Sequence, residues 1–225
     1  MKIPSSGSAP QPPGPCKVLF ATLLFAGPAM AEPLLYEKAG LYETGAVIGV
    51  KAGADFSSPF NELGTSPAVE LEVGWLLPGL ARSFQIFASG QWAGPTGEDE
   101  LPADPRLPGD GVAAWKVDQQ HLRIAIGALY RIPINSTIRP YVSLGGRAWL
   151  LKTTMEGEAG GQAFGTYTEK STEYGIFGGV GGEWHTEYGA LLLELQGGYA
   201  AHDRTVFESS AVGTLALQLG WRFFL

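Results

Sequence analysis

The sequence predicts an all-β chain folded as a transmembrane, eight-stranded, antiparallel up-and-down β-barrel, and three observations carry that expectation. Eight segments alternate with a period of two, and in each of them one parity is free of charge. The connections between these segments are short and long in turn. Aromatic residues on the charge-free parity gather toward the two ends of the segments, where two lipid–water interfaces would select them.

Composition narrows the class before any segment is placed. With 225 residues, 16% of them charged and 45% hydrophobic, the chain suits one good-sized domain and is too apolar for a disordered class. A helical membrane protein is excluded, because the sequence holds no apolar run of about 20 residues. The 32 glycines are roughly double the average share of about 7%, as expected where bulky and minimal side chains alternate in a confined space.

Residues 1–31 read as a secretory signal peptide. Lys17 precedes the apolar run Val18 to Ala26, Gly27 and Pro28 break it, and Ala29-Met30-Ala31 forms a small-x-small cleavage site. The mature barrel is then expected to span residues 32–225, beginning at Glu32. The Pro-, Ser- and Gly-rich stretch before Lys17 is long for such a signal and suggests a start downstream of Met1. Cys16 is the only cysteine and precedes the apolar run, so neither a lipid anchor nor a disulfide nor a thiolate metal site is expected in the mature chain. Without Lys2 and Lys17 the chain carries 13 basic and 22 acidic residues, a net charge of −9, which argues against nucleic acid as a partner.

Taken in order, the first segment sets Ala46, Ile48, Val50, Ala52 and Ala54 against Val47, Gly49, Lys51, Gly53 and Asp55. The second sets Val69, Leu71, Val73, Trp75 and Leu77 against Ala68, Glu70, Glu72 and Gly74. The third and fourth present Phe84 to Trp92 and Leu122 to Tyr130 on their apolar parity, with Gln85, Gln91, Arg123 and Arg131 opposite. In the fifth, Ile138 to Leu150 oppose Arg139, Tyr141, Arg147 and Trp149, and Pro140 is tolerable only near the strand's start. The sixth and seventh put Tyr174 to Trp184 and Leu191 to Tyr199 against Glu173, Glu183, Glu194 and Gln196. The last, Ala211 to Leu225, keeps Leu215, Leu217, Leu219, Trp221, Phe223 and Leu225 on one face and Thr214, Gln218 and Arg222 on the other.

Tight turns are expected at Pro78 to Ala81, Ile132 to Thr137 and Thr186 to Tyr188. Long loops are expected at Phe56 to Pro67, Ala93 to Lys116, Leu151 to Thr172 and Ala201 to Ser210. Trp75, Phe84, Tyr130, Trp184, Trp221 and Phe223 fall near the short-turn end, and Trp92, Tyr174 and Tyr199 near the long-loop end. Trp149 alone lies on the polar parity and is read as the mark of a bulge.

A soluble barrel of the lipocalin kind also alternates, with its apolar face inward. Three features favour lipid outside. The polar parity is rich in Gly, Ser and Ala, the last strand ends the chain with no trailing helix, and the apolar parity carries no charge. One basic residue at the bilayer midplane would cost about 2–4 kcal/mol.

The terminal residues Gln218, Gly220, Phe223 and Leu225, within QLGWRFFL, resemble the C-terminal insertion signal of outer-membrane barrels, with Leu225 where Phe is usual. RPYVSLGGRAW and GIFGGVGGEW resemble inner strands of the small OmpA/OmpX-like barrels, so that the resemblance spans Thr44 to Leu225. It implies residence in the outer membrane of a Gram-negative cell, with outer-membrane lipid around the barrel and the barrel-assembly machinery as a partner during biogenesis. No peptidoglycan-binding domain of the OmpA type is expected.

The interior of an eight-stranded barrel is just wide enough for side chains to fill. The inward parity supplies Lys51, Arg123, Arg131, Arg139, Arg147 and Arg222 against Asp55, Glu70, Glu72, Glu173, Glu183 and Glu194. Lys51 is expected to face Glu70 and Glu72, Arg222 to reach Glu194, and Glu183 to neighbour Arg147. A buried charge without a partner is expensive, so these pairs point to a plugged lumen. The rival is a narrow small-solute channel through the same charges.

His121 and His202, with Asp203 and Ser209 or Ser210, could meet at the outer rim as a nucleophilic site, but spacing does not establish that Ser and His come within hydrogen-bond reach, and polar rim residues are the expected reading. Five carboxylates of the second loop, Glu98, Asp99, Glu100, Asp104 and Asp110, could hold Ca²⁺ but lack an EF-hand spacing and read as a mobile acidic loop. The third loop offers Phe164 and Tyr167 to a surface ligand and otherwise reads as a flexible connector. No catalytic residue, cofactor or metal is assigned. The expected role is that of a structural or surface-interaction barrel acting through its outer loops.

Overall fold

The structure, a computed structural model, describes residues 45–57, 63–78, 83–101, 113–134, 137–159, 162–186, 188–201 and 211–225. The export-signal reading of residues 1–31 falls outside them. So do His202, Asp203, Ser209, Ser210, Asp104 and Asp110.

The described residues form nine antiparallel strands. They are β1 (Ala46–Phe56), β2 (Thr65–Leu76), β3 (Phe84–Ala93), β4 (Thr96–Leu101), β5 (Ala113–Arg131), β6 (Ile138–Ala159), β7 (Gln162–Thr186), β8 (Gly189–Ala201) and β9 (Ala211–Phe224). Eight of them close a barrel: β3 pairs with β5, and β1 pairs with β9 along Val47↔Phe224 to Phe56↔Leu215. Closure leaves no sheet edge inside the membrane, where an unpaired backbone group would find no water.

Alternation decides which side faces what. Along β2, Val69, Leu71, Val73 and Trp75 are about half exposed, while Glu70 and Glu72 are buried. Apolar side chains outside and polar ones inside invert the arrangement of a soluble barrel, and the other barrel strands follow the same parity. The outer belt runs from Trp75, Trp184 and Phe223 at the short-turn end to Trp92, Tyr174 and Tyr199 at the other, all exposed. The barrel therefore crosses the outer membrane with its strands, the aromatic rows standing at the two interfaces.

Several expectations are corrected above the belt. The second long connection is partly strand, because Thr96–Leu101 pairs with β5, which starts at Ala113 and not near His121. The third connection is no loose loop: β6 continues to Ala159 and β7 begins at Gln162, paired through Thr154↔Thr168 and Met155↔Tyr167. Polar, Thr-rich sequence carries no apolar alternation here, so main-chain pairing beyond the bilayer left no signal in the period. The first connection is also shorter, since β2 starts at Thr65.

Trp149 marks no bulge. Its pairing with Arg123 and Glu173 is in register, and the irregularity of this hairpin lies between Gly157 and Glu158. Trp149 points inward and packs, fully buried, with Leu151, Ala200 and Val212. Gly198 makes the room, because a Cβ there would come within 2.9 Å of the indole.

The turn between β7 and β8 shows what glycine supplies. Gly189 has φ +142°, and a Cβ there would meet the Arg222 carbonyl oxygen at 2.3 Å. The backbone can close on β9 only with a hydrogen in that place.

Candidate functional site

The candidate site is the lumen, and period-two alternation builds it by sending polar side chains of every strand to one axis. At the short-turn half, Arg131 of β5 forks onto Glu183 of β7, Nε to Oε2 at 2.7 Å and Nη2 to Oε1 at 3.0 Å. Arg222 of β9 donates to Glu72 of β2 through Nε at 2.9 Å and Nη2 at 2.8 Å, and to Glu183 through Nη1. Gln85 links Arg131 to Glu72, accepting from the first at 2.7 Å and donating to the second at 2.9 Å.

Toward the middle, Lys51 Nζ lies 3.0 Å from Glu70, 2.9 Å from Glu72 and 3.0 Å from Glu194. Glu194 also accepts from the Tyr141 hydroxyl at 2.7 Å and from Gln196 at 3.0 Å. The Tyr141 ring lies under the Arg222 guanidinium, 4.8 Å from its carbon to the ring centroid. Room for that ring comes from Gly181, where a Cβ would stand 2.5 Å from it.

A second network lies in the outer half. Arg123 grips both Asp55 oxygens, Nη2 to Oδ1 at 3.0 Å, and donates to Gln91 at 2.8 Å. Arg123 Nη2 stands 2.7 Å from His121 Nδ1, and since arginine can only donate, that nitrogen accepts. His121 Nε2–H then faces Gln119, which donates to Thr153 at 2.7 Å. The imidazole is fully buried with both nitrogens engaged, so it offers no base to a substrate at the rim.

The predicted inward charges are buried, apart from the partly exposed Glu173, and two partnerships differ from expectation. Glu183 meets Arg131 and Arg222 and not Arg147. Arg147 donates to the Gln196 carbonyl oxygen, and its guanidinium lies 4.5 Å from the Phe177 ring centroid and 5.7 Å from that of Trp149. Two rings and an amide take the place of a carboxylate there. Arg222 does lie near Glu194, at 3.6 Å, but its short contacts are with Glu72 and Glu183.

Sequence reasoning missed the uncharged members, Gln85, Gln91, Gln119, Gln196 and Tyr141. All five lie on the inward parity, which was the available signal, but the strands they reach across the lumen were not readable from spacing. Among the described residues no group of three or more His, Cys, Asp or Glu is placed to hold a metal ion. Of the residues resembling an insertion signal, Gln218 and Gly220 lie opposite Gly53 and Lys51 on β1, Phe223 is exposed on the belt, and the Leu225 amide donates to the Ala46 carbonyl at 2.9 Å.

A closed antiparallel barrel with buried charges on its inner face and an apolar exterior defines a small eight-stranded outer-membrane β-barrel protein. One known structure agrees on the fold, and two others are similar to it. Neisserial surface protein A superposes with a TM-score of 0.50 at 17% identity, over 80% of this chain and 96% of that one. The N-terminal β-barrel domain of Pseudomonas aeruginosa OprF matches at TM-score 0.46 and 14% identity, over 80% and 98% of the two chains. The attachment invasion locus protein Ail of Yersinia pestis matches at TM-score 0.42 and 15% identity, over 81% and 99%. No protein-family model and no curated protein sequence matches the chain.

Proposed function

We propose that this protein is a structural and surface-interaction barrel of the outer membrane, without enzymatic activity, whose lumen is plugged by its own ion pairs. One observation carries the reading: the contacts run across the barrel as well as along it. Arg123 of β5 holds Asp55 of β1, and Arg131 of β5 holds Glu183 of β7. Such bonds close the bore where they cross it, and the attraction within each pair is stronger in a water-poor interior than at a surface.

With the lumen filled, the parts left to act on other molecules are those beyond the belt. The β6–β7 ribbon extends nine residues past Leu150, to Ala159, which at about 3.3 Å per residue carries it well clear of the apolar belt. Its outer part presents Tyr167, 56% exposed, with threonines on either side. The barrel would reach the membrane by way of an export signal in residues 1–31 and the barrel-assembly machinery, which would read Gln218, Gly220, Phe223 and Leu225.

Planar-bilayer recording on the purified protein tests the plug. No steady open conductance is expected, and a steady open state would establish the rival small-solute channel. Replacing residues 154–168 by a two-residue turn tests the surface role. Heat-modifiable migration on a gel should persist while adherence of expressing cells to immobilised extracellular matrix is lost, and unchanged adherence would overturn that part.

A further inference from the structure

The outer belt ends on three strands in one row, where Trp92, Leu122 and Leu150 stand side by side in register. The next row outward on the same face holds Gln120, Lys152 and Lys170. Between and beside these rows lies an open groove of about 510 Å³ whose lining combines the indole, the leucines and both lysines.

Lys152 and Lys170 are direct cross-strand partners, and both are exposed. Like charges directly opposite one another on a sheet are destabilising, and side chains so paired have Cβ atoms about 4.5–5.5 Å apart. Among the described residues neither lysine makes an ion pair or side-chain hydrogen bond that would relieve them. Lys116, two rows further out, has Asp118 at 3.8 Å. An anion with several oxygens, seated between the two ammonium groups, would accept from both at once and turn the repulsion into a clamp.

The height of the pair selects the anion. It sits one row beyond Trp92, and aromatic residues of this kind mark headgroup level. Groups above that row meet headgroups and groups below it meet acyl chains. We propose that the groove binds a phosphorylated lipid of the outer leaflet, Lys152 and Lys170 holding the headgroup phosphate while Trp92, Leu122 and Leu150 pack against the start of the acyl chains. This goes beyond the surface role proposed above, because the site is built on the barrel wall and not on the ribbon's tip.

Native mass spectrometry of the full-length mature barrel in detergent tests the site, with phosphorylated lipid A as probe and dephosphorylated lipid A as its control. Wild-type protein is expected to retain the phosphorylated form selectively. The double variant Lys152→Gln/Lys170→Gln should bind it about thirtyfold more weakly, roughly fivefold per lysine. Lys152→Arg/Lys170→Arg should retain binding, and Lys116→Gln should leave it unchanged. Heat-modifiable migration reports folding of each variant, and the comparison of the two lipids on the wild-type chain stands even if a variant fails to fold. Equal retention of the two lipids, or undiminished binding by a folded glutamine variant, would overturn the proposal. Displacement of the lipid by millimolar inorganic phosphate would do so as well, since the site would then be one for a free anion.

Discussion

Arg222 and Glu72, 150 residues apart in the chain, share two hydrogen bonds of 2.9 and 2.8 Å in the barrel interior. Their strands are not neighbours: β1 lies between β9 and β2, and Gly49, in register with both residues, leaves the path open. A Cβ at Gly49 would stand 3.2 Å from Glu72 and 3.4 Å from Arg222. The pair therefore depends on a third strand supplying nothing but backbone at that height.

Removing one member takes a close counter-charge from a buried partner, leaving Glu72 with Lys51 and Gln85, or Arg222 with Glu183. Arg222→Met is expected to cost about 3–5 kcal/mol, read from urea unfolding in lipid vesicles. Arg222→Met with Glu72→Met should cost less than the sum of the single changes, by about 0.5–3 kcal/mol, because the double change leaves no unpaired charge at this pair. Strict additivity would show that the two do not interact.

The lipid belt makes the opposite demand. Ile126 is 72% exposed on the outer face of β5, in mid-belt. Ile126→Arg should cost about 2–4 kcal/mol in the same unfolding measurement. A neutral result would remove Ile126 from the bilayer.

At the outer end, Trp149 fills the space between Leu151, Ala200 and Val212. Trp149→Ala should destabilise by about 3–5 kcal/mol while preserving the heat-modifiable band, since the ladder on either side is untouched. Intrinsic fluorescence of the folded variant should lose a blue-shifted, buried component.

Glycines of the barrel divide by where they point. Gly181→Val places a side chain 2.5 Å from the Tyr141 ring and 2.6 Å from the Leu193 carbonyl, and is expected to abolish the heat-modifiable form. Gly90, on the lipid face, has nothing within 4 Å of a Cβ, so Gly90→Ala should refold as the wild type does. The same behaviour in both variants would contradict the assignment of inner and outer faces.

Maturation and assembly have their own test. N-terminal sequencing of the envelope-resident protein should begin at Glu32. Phe223→Ser should slow assembly in cells, read as the lag before heat-modifiable protein appears, and leave refolding into detergent unchanged, because recognition by assembly machinery is needed only in the cell.

Strand positions, the charge-free parity and the aromatic rows were legible because each is a local property of period-two alternation. Val69, Leu71 and Val73 beside Glu70 and Glu72 announce a two-faced strand with no knowledge of its neighbours. The same holds for the interior's inventory, since parity alone sends Lys51, Arg123 and Glu194 inward. Partnership was not legible. Whether Glu183 meets Arg147 or Arg131 depends on the heights at which strands far apart in the chain come to rest, and those follow from the closed barrel's registers as a whole. The extension of β5, β6 and β7 beyond the bilayer was equally hidden, because a ladder in water is held by main-chain bonds that ask no apolar parity of Thr153, Thr154 or Thr168. It was the register of that ribbon that set Lys152 opposite Lys170, one row above Trp92. Alternation, then, is written residue by residue, whereas the choice of partner across the lumen and the height of each row above the membrane belong to the closed barrel, in which every strand's register constrains the others.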